Sequence, residues 1–171
     1  MKVTKLATIA FVSTVLLSGT PALAAQSDLE FMLSARHLEW NSDTQESFEA
    51  AAGGKQALVD QLIQLSHSDS VSSPVAMRAA HILANEYADD PEVSAQVLAV
   101  IEEDIGAEDR EGLARLYASK VDRVSSTAAK RTIATAAADR GAASESFRPY
   151  AQKLLNSSDR TVRAIAAQRL E

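Results

Sequence analysis

Beyond residue 24, apolar positions recur every three or four residues, the period that lines one face of an α-helix. Leu58, Leu62 and Leu65 form one stripe. Val75, Ala79, Leu83 and Tyr87 form a second, and Val93, Val97, Leu98, Ile101 and Ile105 a third. No segment alternates apolar and polar residues as a half-buried strand does. Local chemistry marks the helix ends. Ser27 with Glu30, and Ser42 with Gln45, have the spacing of a capping box, in which a hydroxyl and a longer polar side chain satisfy free N–H groups. In Ser73-Pro74 and Asp90-Pro91 a capping oxygen precedes a proline, whose missing N–H costs nothing in a first turn. Gly53-Gly54, Gly106 and Gly141 are glycine stops.

The pattern therefore predicts an all-α chain. Its helices run from Ser27 to Trp40, Ser42 to Gly53, Lys55 to Ser66, Ser73 through Tyr87, and Asp90 to Ile105. Further helices span Glu108 to Ser119 and Asp122 to Arg140, start at Ser144 or, as Pro149 favours, Ser146, with Tyr150, Leu154 and Leu155 inward, and start at Asp159. Abundant alanine agrees, because alanine has the highest helix propensity and lets helices approach closely.

The first 24 residues follow a different rule. Lys2 and Lys5 precede an apolar run, Leu6 to Leu17, that Ser18-Gly19-Thr20-Pro21 interrupts before Ala22-Leu23-Ala24. A basic start, a short apolar core and a small-residue site are the marks of a secretory signal peptide. The core has about 12 residues, against about 20 for a membrane span, so cleavage before Ala25 is expected and no stable anchor remains. There is no cysteine for a lipid anchor and no twin arginine. The expected destination is the bacterial periplasm or the outside. The domain reading is a signal peptide over 1–24, N-terminal capping helices over 25–54 and helical repeats over 55–171.

Cleavage changes the charge. The full chain carries −6; without Lys2 and Lys5 it carries −8. Residues 25–111 hold 18 acidic and 4 basic side chains, whereas 112–171 hold 5 acidic and 11 basic. Such a reversal between halves points to a partner-facing end. The absence of cysteine excludes disulfides, thiol catalysis and Cys-based metal sites.

Three segments share V-x-x-x-A-A-x-x-(L/T). They are Val75, Ala79, Ala80 and Leu83; Val124, Ala128, Ala129 and Thr132; and Val162, Ala166, Ala167 and Leu170. Their valines lie 49 and 38 residues apart, near the period of about 40–47 of two-helix solenoid repeats. With Asp159 and Arg163, the last copy resembles the short bacterial form of the HEAT-like repeat family. That resemblance implies a short right-handed α-solenoid of helical hairpins, with an irregular multi-helix bundle as the alternative. It also implies that Asp159 and Arg163 are structural, and that the second helices line a partner-binding face. On that face Arg78, His81 and Asn85 share i, i+3, i+7 spacing. Arg123, Ser126 and Lys130 follow the same spacing, and Arg160 and Arg163 fall in the last copy, giving a basic ridge.

Enzymatic signatures are missing. There is no H-E-x-x-H, G-x-S-x-G, phosphate loop or EF-hand order. His67-x-Asp69 and the cluster Asp104, Glu108, Asp109 and Glu111 are the only arrangements suggestive of a metal, and a solvated junction is the simpler reading of the cluster. Trp40 reads as packing over a helix end rather than as a partner anchor. The expectation is a non-catalytic interaction or scaffold module without cofactor or metal, binding a protein or peptide and not nucleic acid. Head-to-tail self-assembly, or a small helical ligand-binding protein or enzyme, is the alternative.

Overall fold

The computed structural model describes residues 28–170, and among them every regular element is helical. Helix α1 covers 28–33 and α2 Ser42–Ala52. Helix α3 is Lys55–His67, and α4 is Ser73–Ile82, continued by a π-helical turn at Leu83–Tyr87. Then come α5 Ser94–Gly106, α6 Glu111–Lys120, α7 Thr127–Ala143, α8 Arg148–Lys153 and α9 Arg160–Leu170. The 1–24 signal reading and the Ser27 cap lie outside the described residues.

Helix α5 packs on α6 and α7, and α7 in turn on α8 and α9, while α6 also touches α4 and α8. Alternate helices are thus neighbours in space. The predicted stripes supply the core: Leu58, Leu62, Leu65, Tyr87, Val97, Ile101 and Ile105 are fully buried. Helix α7 lies between α5 and α9, and the side chains it buries include Ala129, Ala134, Ala137 and Ala138. Small side chains on several sides of one helix let its neighbours close in. The repeat residues Val75, Ala79, Ala80, Leu83, Val124, Ala129, Val162 and Ala166 are buried, and Ala128, Ala167 and Leu170 are half-buried.

Several helix ends differ from the sequence expectation. Helix α1 stops at residue 33, because the Arg78 guanidinium takes the carbonyls of Leu33 and Ala35. A cation there satisfies carbonyls that lack intrahelical donors and meets the negative end of the helix dipole. The cap of α2 is Asn41, whose Oδ1 accepts from Thr44 N at 2.9 Å; Ser42 is already helical and Gln45 turns to Glu49. Helix α4 is preceded by Ser72 instead of Ser73. Helix α7 starts five residues late, at Thr127, because Ser126 caps it by accepting from Ala129 N at 3.0 Å. Helix α7 also runs through Gly141 to Ala143, so that glycine is no stop. Phe147, not Ser146, precedes α8, and Leu155 is exposed while Leu154 is buried.

Gly53 does end α2, with φ at +90° and its N–H on Ala50 O, while Gly54 N–H closes back to Glu49 O at 2.7 Å. Trp40 packs tilted on Phe48 and edge-on to Tyr87, with ring centroids 5.1 and 6.4 Å away.

Candidate functional site

Polar side chains join helices that are distant in the chain, most of them at separations of 35 to 40 residues. Lys55 reaches Asp90 (35 residues on), Gln56 reaches Gln96 (40) and His67 reaches Asp104 (37). Asn85 meets Ser125 (40), Asp89 accepts from Ser126 (37) and Asp122 accepts from Ser157 (35). Arg140 donates to Ile105 O at 2.7 Å and Ala107 O at 2.9 Å, closing the end of α5 as Arg78 closes α1.

The expected basic ridge is divided among these ties. The Nη1 of Arg78 serves two backbone carbonyls, and that of Arg163 serves Ser157 O and Ser158 O. Lys130 pairs with Asp159 at 3.3 Å. Asp159 Oδ1 also accepts from Thr161 N and Val162 N, capping α9. Asp159 and Arg163 therefore serve the local fold through separate partners and not through each other. Arg123 lies in the 3-10 turn before Val124, off the helix that Lys130 occupies, so their sequence spacing does not set them on one helix face. Arg160 is exposed.

One part of the ridge is gathered into a single surface. Where α4 loosens into its π-turn, Asn85 Nδ2 lies 2.7 Å from His81 Nε2, while Asn85 Oδ1 accepts from Ser125 N at 2.7 Å. The second bond fixes the amide, so its NH₂ faces His81, and Nε2 is the acceptor of the neutral ring. Desolvation, then the charges of Arg123 and Lys120, hold the His81 pKa below the ordinary histidine value. Lys120 lines the same recess as His81, with Ala84, Leu116, Tyr117 and Val124. The ion pairs among the described residues include neither Lys120 nor Arg123. Two cations outside these ion pairs thus stand beside a neutral imidazole. Lys120 lies outside the ridge expected from sequence, three positions before Arg123 and four before the repeat valine Val124.

A second cluster overturns the solvated reading of Asp104. That side chain is fully buried, with Oδ1 2.7 Å from His67 Nε2 and 2.9 Å from Arg110 Nη1. Burial pushes its carboxyl pKa up, while His67 and Arg110 pull the other way. Among the described residues its Oδ2 and the nearby buried Tyr117 hydroxyl have no hydrogen-bond partner. Asp104 therefore ties the end of α3 to the start of α6. His67 and Arg110 also line an open groove with Asp69, Ser73, Met77, Asp109 and Leu113. Among the described residues no three His, Asp or Glu side chains converge as a metal-ligand set, and no helix is long and apolar enough to cross a membrane.

Compared with known proteins, the chain matches no family model, no curated protein and no solved structure.

Proposed function

We propose that this chain is an exported, non-catalytic interaction module: a short HEAT-like stack of helical hairpins that holds a protein or peptide partner. The observation that carries the reading is that most polar ties between distant helices span 35 to 40 residues, with Arg78 to Leu33 and Ala35 at 45 and 43, and Lys130–Asp159 and Arg169–Asp139 at 29 and 30, outside that range. In a repeat stack each unit contacts the next at equivalent places, so ties recur at the repeat length. An irregular bundle imposes no such constancy. Side-by-side packing of α5, α7 and α9, and of α4, α6 and α8, agrees with two layers of a stack. The signal-like segment supports export.

The partner surface in this reading is the His81, Asn85, Lys120 and Arg123 group, and the matching chemistry is a carboxylate-bearing segment. Arg78 and Arg163, on the ridge by sequence, belong to the scaffold. The test is site-specific photocrosslinking from position 123 in the periplasm of a producing bacterium, with the N-terminus read by mass spectrometry. The expected result is a discrete adduct on a protein starting at Ala25, lost in Lys120→Glu while the melting curve is unchanged. An adduct pattern indifferent to the charge reversal, or a chain retaining residues 1–24, overturns the reading.

A further inference from the structure

The two ends of the described chain differ in charge and in relief. Near the N-terminal end, Phe31, Met32, Ala35, Leu38 and Phe48 line an apolar groove of about 530 Å³ with Asp43 at its edge. Phe31 is 79% exposed, an unusual setting for a large apolar side chain beside a concave apolar surface. Residues 28–52 carry six carboxylates and a single Arg or Lys, Arg36. At the other end, Leu155 stands 39% exposed on the turn after α8. Arg163 is held against the adjoining loop through Ser157 O and Ser158 O, and Lys153 and Arg160 are exposed on either side of that turn in sequence. Residues 145–170 carry five basic and two acidic side chains.

We infer that the chain assembles head-to-tail with a second copy of itself, Leu155 of one copy entering the Phe31 groove of the next. Lys153 and Arg160 then face Glu39, Asp43 and Glu46. Charge complementarity selects this occupant. Like ends repel, which disfavours a symmetric dimer, whereas unlike ends attract. The contact is heterologous: each added copy leaves one free head and one free tail, so assembly extends instead of closing. An interface centred on one apolar side chain is at the small, weak end of the range, so assembly appears at high concentration. Its electrostatic part is screened by salt.

The test is sedimentation velocity on the protein recovered from an export-competent host. The expected result is an average mass that climbs with concentration past the dimer in about 0.05 M salt, with an association constant about tenfold lower in about 0.5 M salt. A tail variant, Lys153→Glu/Arg160→Glu, and a head variant, Glu39→Lys/Glu46→Lys, each stay monomeric alone. Mixed, they assemble again, because each then offers the end that the other lacks. All four positions are exposed, and melting curves verify that both variants fold. A monomer at every concentration, a closed dimer, or assembly indifferent to both variants overturns the inference. None of these results bears on the crosslink at position 123, so the two readings fail separately.

Discussion

Substituting Gly141 tests how closely α7 and α8 approach. A Cβ built there lies 2.2 Å from Ala151 Cβ, 3.4 Å from Leu170 Cδ2 and 3.6 Å from Arg148 Cα. Carbon atoms rest at about 3.5–4.0 Å, so Gly141→Ala forces α8 outward by on the order of 1 Å. Both colliding atoms are Cβ atoms, so no rotamer change relieves the clash. Overpacking of this kind costs about 1–3 kcal/mol, and the rigid pair belongs at the upper end. Alanine returns about 0.5–1 kcal/mol through its better helix propensity. The net expectation is a loss of about 2 kcal/mol, or a melting temperature lower by about 4–8 °C for a domain of this size. Urea denaturation followed by circular dichroism measures it. The partner change Ala151→Gly removes the obstructing methyl, so the double variant must be more stable than the two single losses added together, by about 1–2 kcal/mol of coupling. A Gly141→Ala protein as stable as the parent, or a strictly additive double variant, refutes the close approach and returns Gly141 to the role of an ordinary helix-end glycine.

Other changes probe the ties between helices. Arg140→Ala removes the donors to Ile105 O and Ala107 O and the cation over the Phe147 ring; a loss of about 2 kcal/mol in denaturant titration is expected for hydrogen bonds to a charged donor. Asp104→Ala strips the buried carboxylate from His67 and Arg110; removing one side of a buried pair costs about 3–5 kcal/mol, and the partial exposure of both partners places this at about 3. Asp122 accepts from the Ser157 hydroxyl and from Ser158 N–H, which holds its pKa below the usual value. A folded pKa below the unfolded one gives stability that is present above about pH 3.9 and lost as pH falls through the folded pKa. The stability gap between the parent and Asp122→Asn is therefore expected to be full near neutrality and to close in acid; a gap unchanged at low pH rejects the assignment.

Much of the helical layout was legible in the chain itself. The stripes at Leu58–Leu62–Leu65 and Val97–Ile101–Ile105 are buried because helical period and burial are two expressions of one geometry. Gly53 stops α2 because only glycine takes its positive φ without strain. These signals concern one helix at a time. The site residues were less legible, since the charged residues of the ridge look alike in sequence whether they face solvent or a distant carbonyl.

Sequence alone determined that the chain is helical, where most apolar faces lie, and that its charge reverses along its length. Tertiary structure alone decided that Gly141 is a helix contact, that Asp104 is buried, and that Arg78 and Arg140 close the ends of α1 and α5. Among the described residues it also set Lys120 and Arg123 beside His81 outside every ion pair. The physical reason is distance along the chain. Periodicity and propensity act within a turn or two, whereas the partners of Asp104, Arg140 and Gly141 are brought in by separate helices whose arrangement no local pattern encodes.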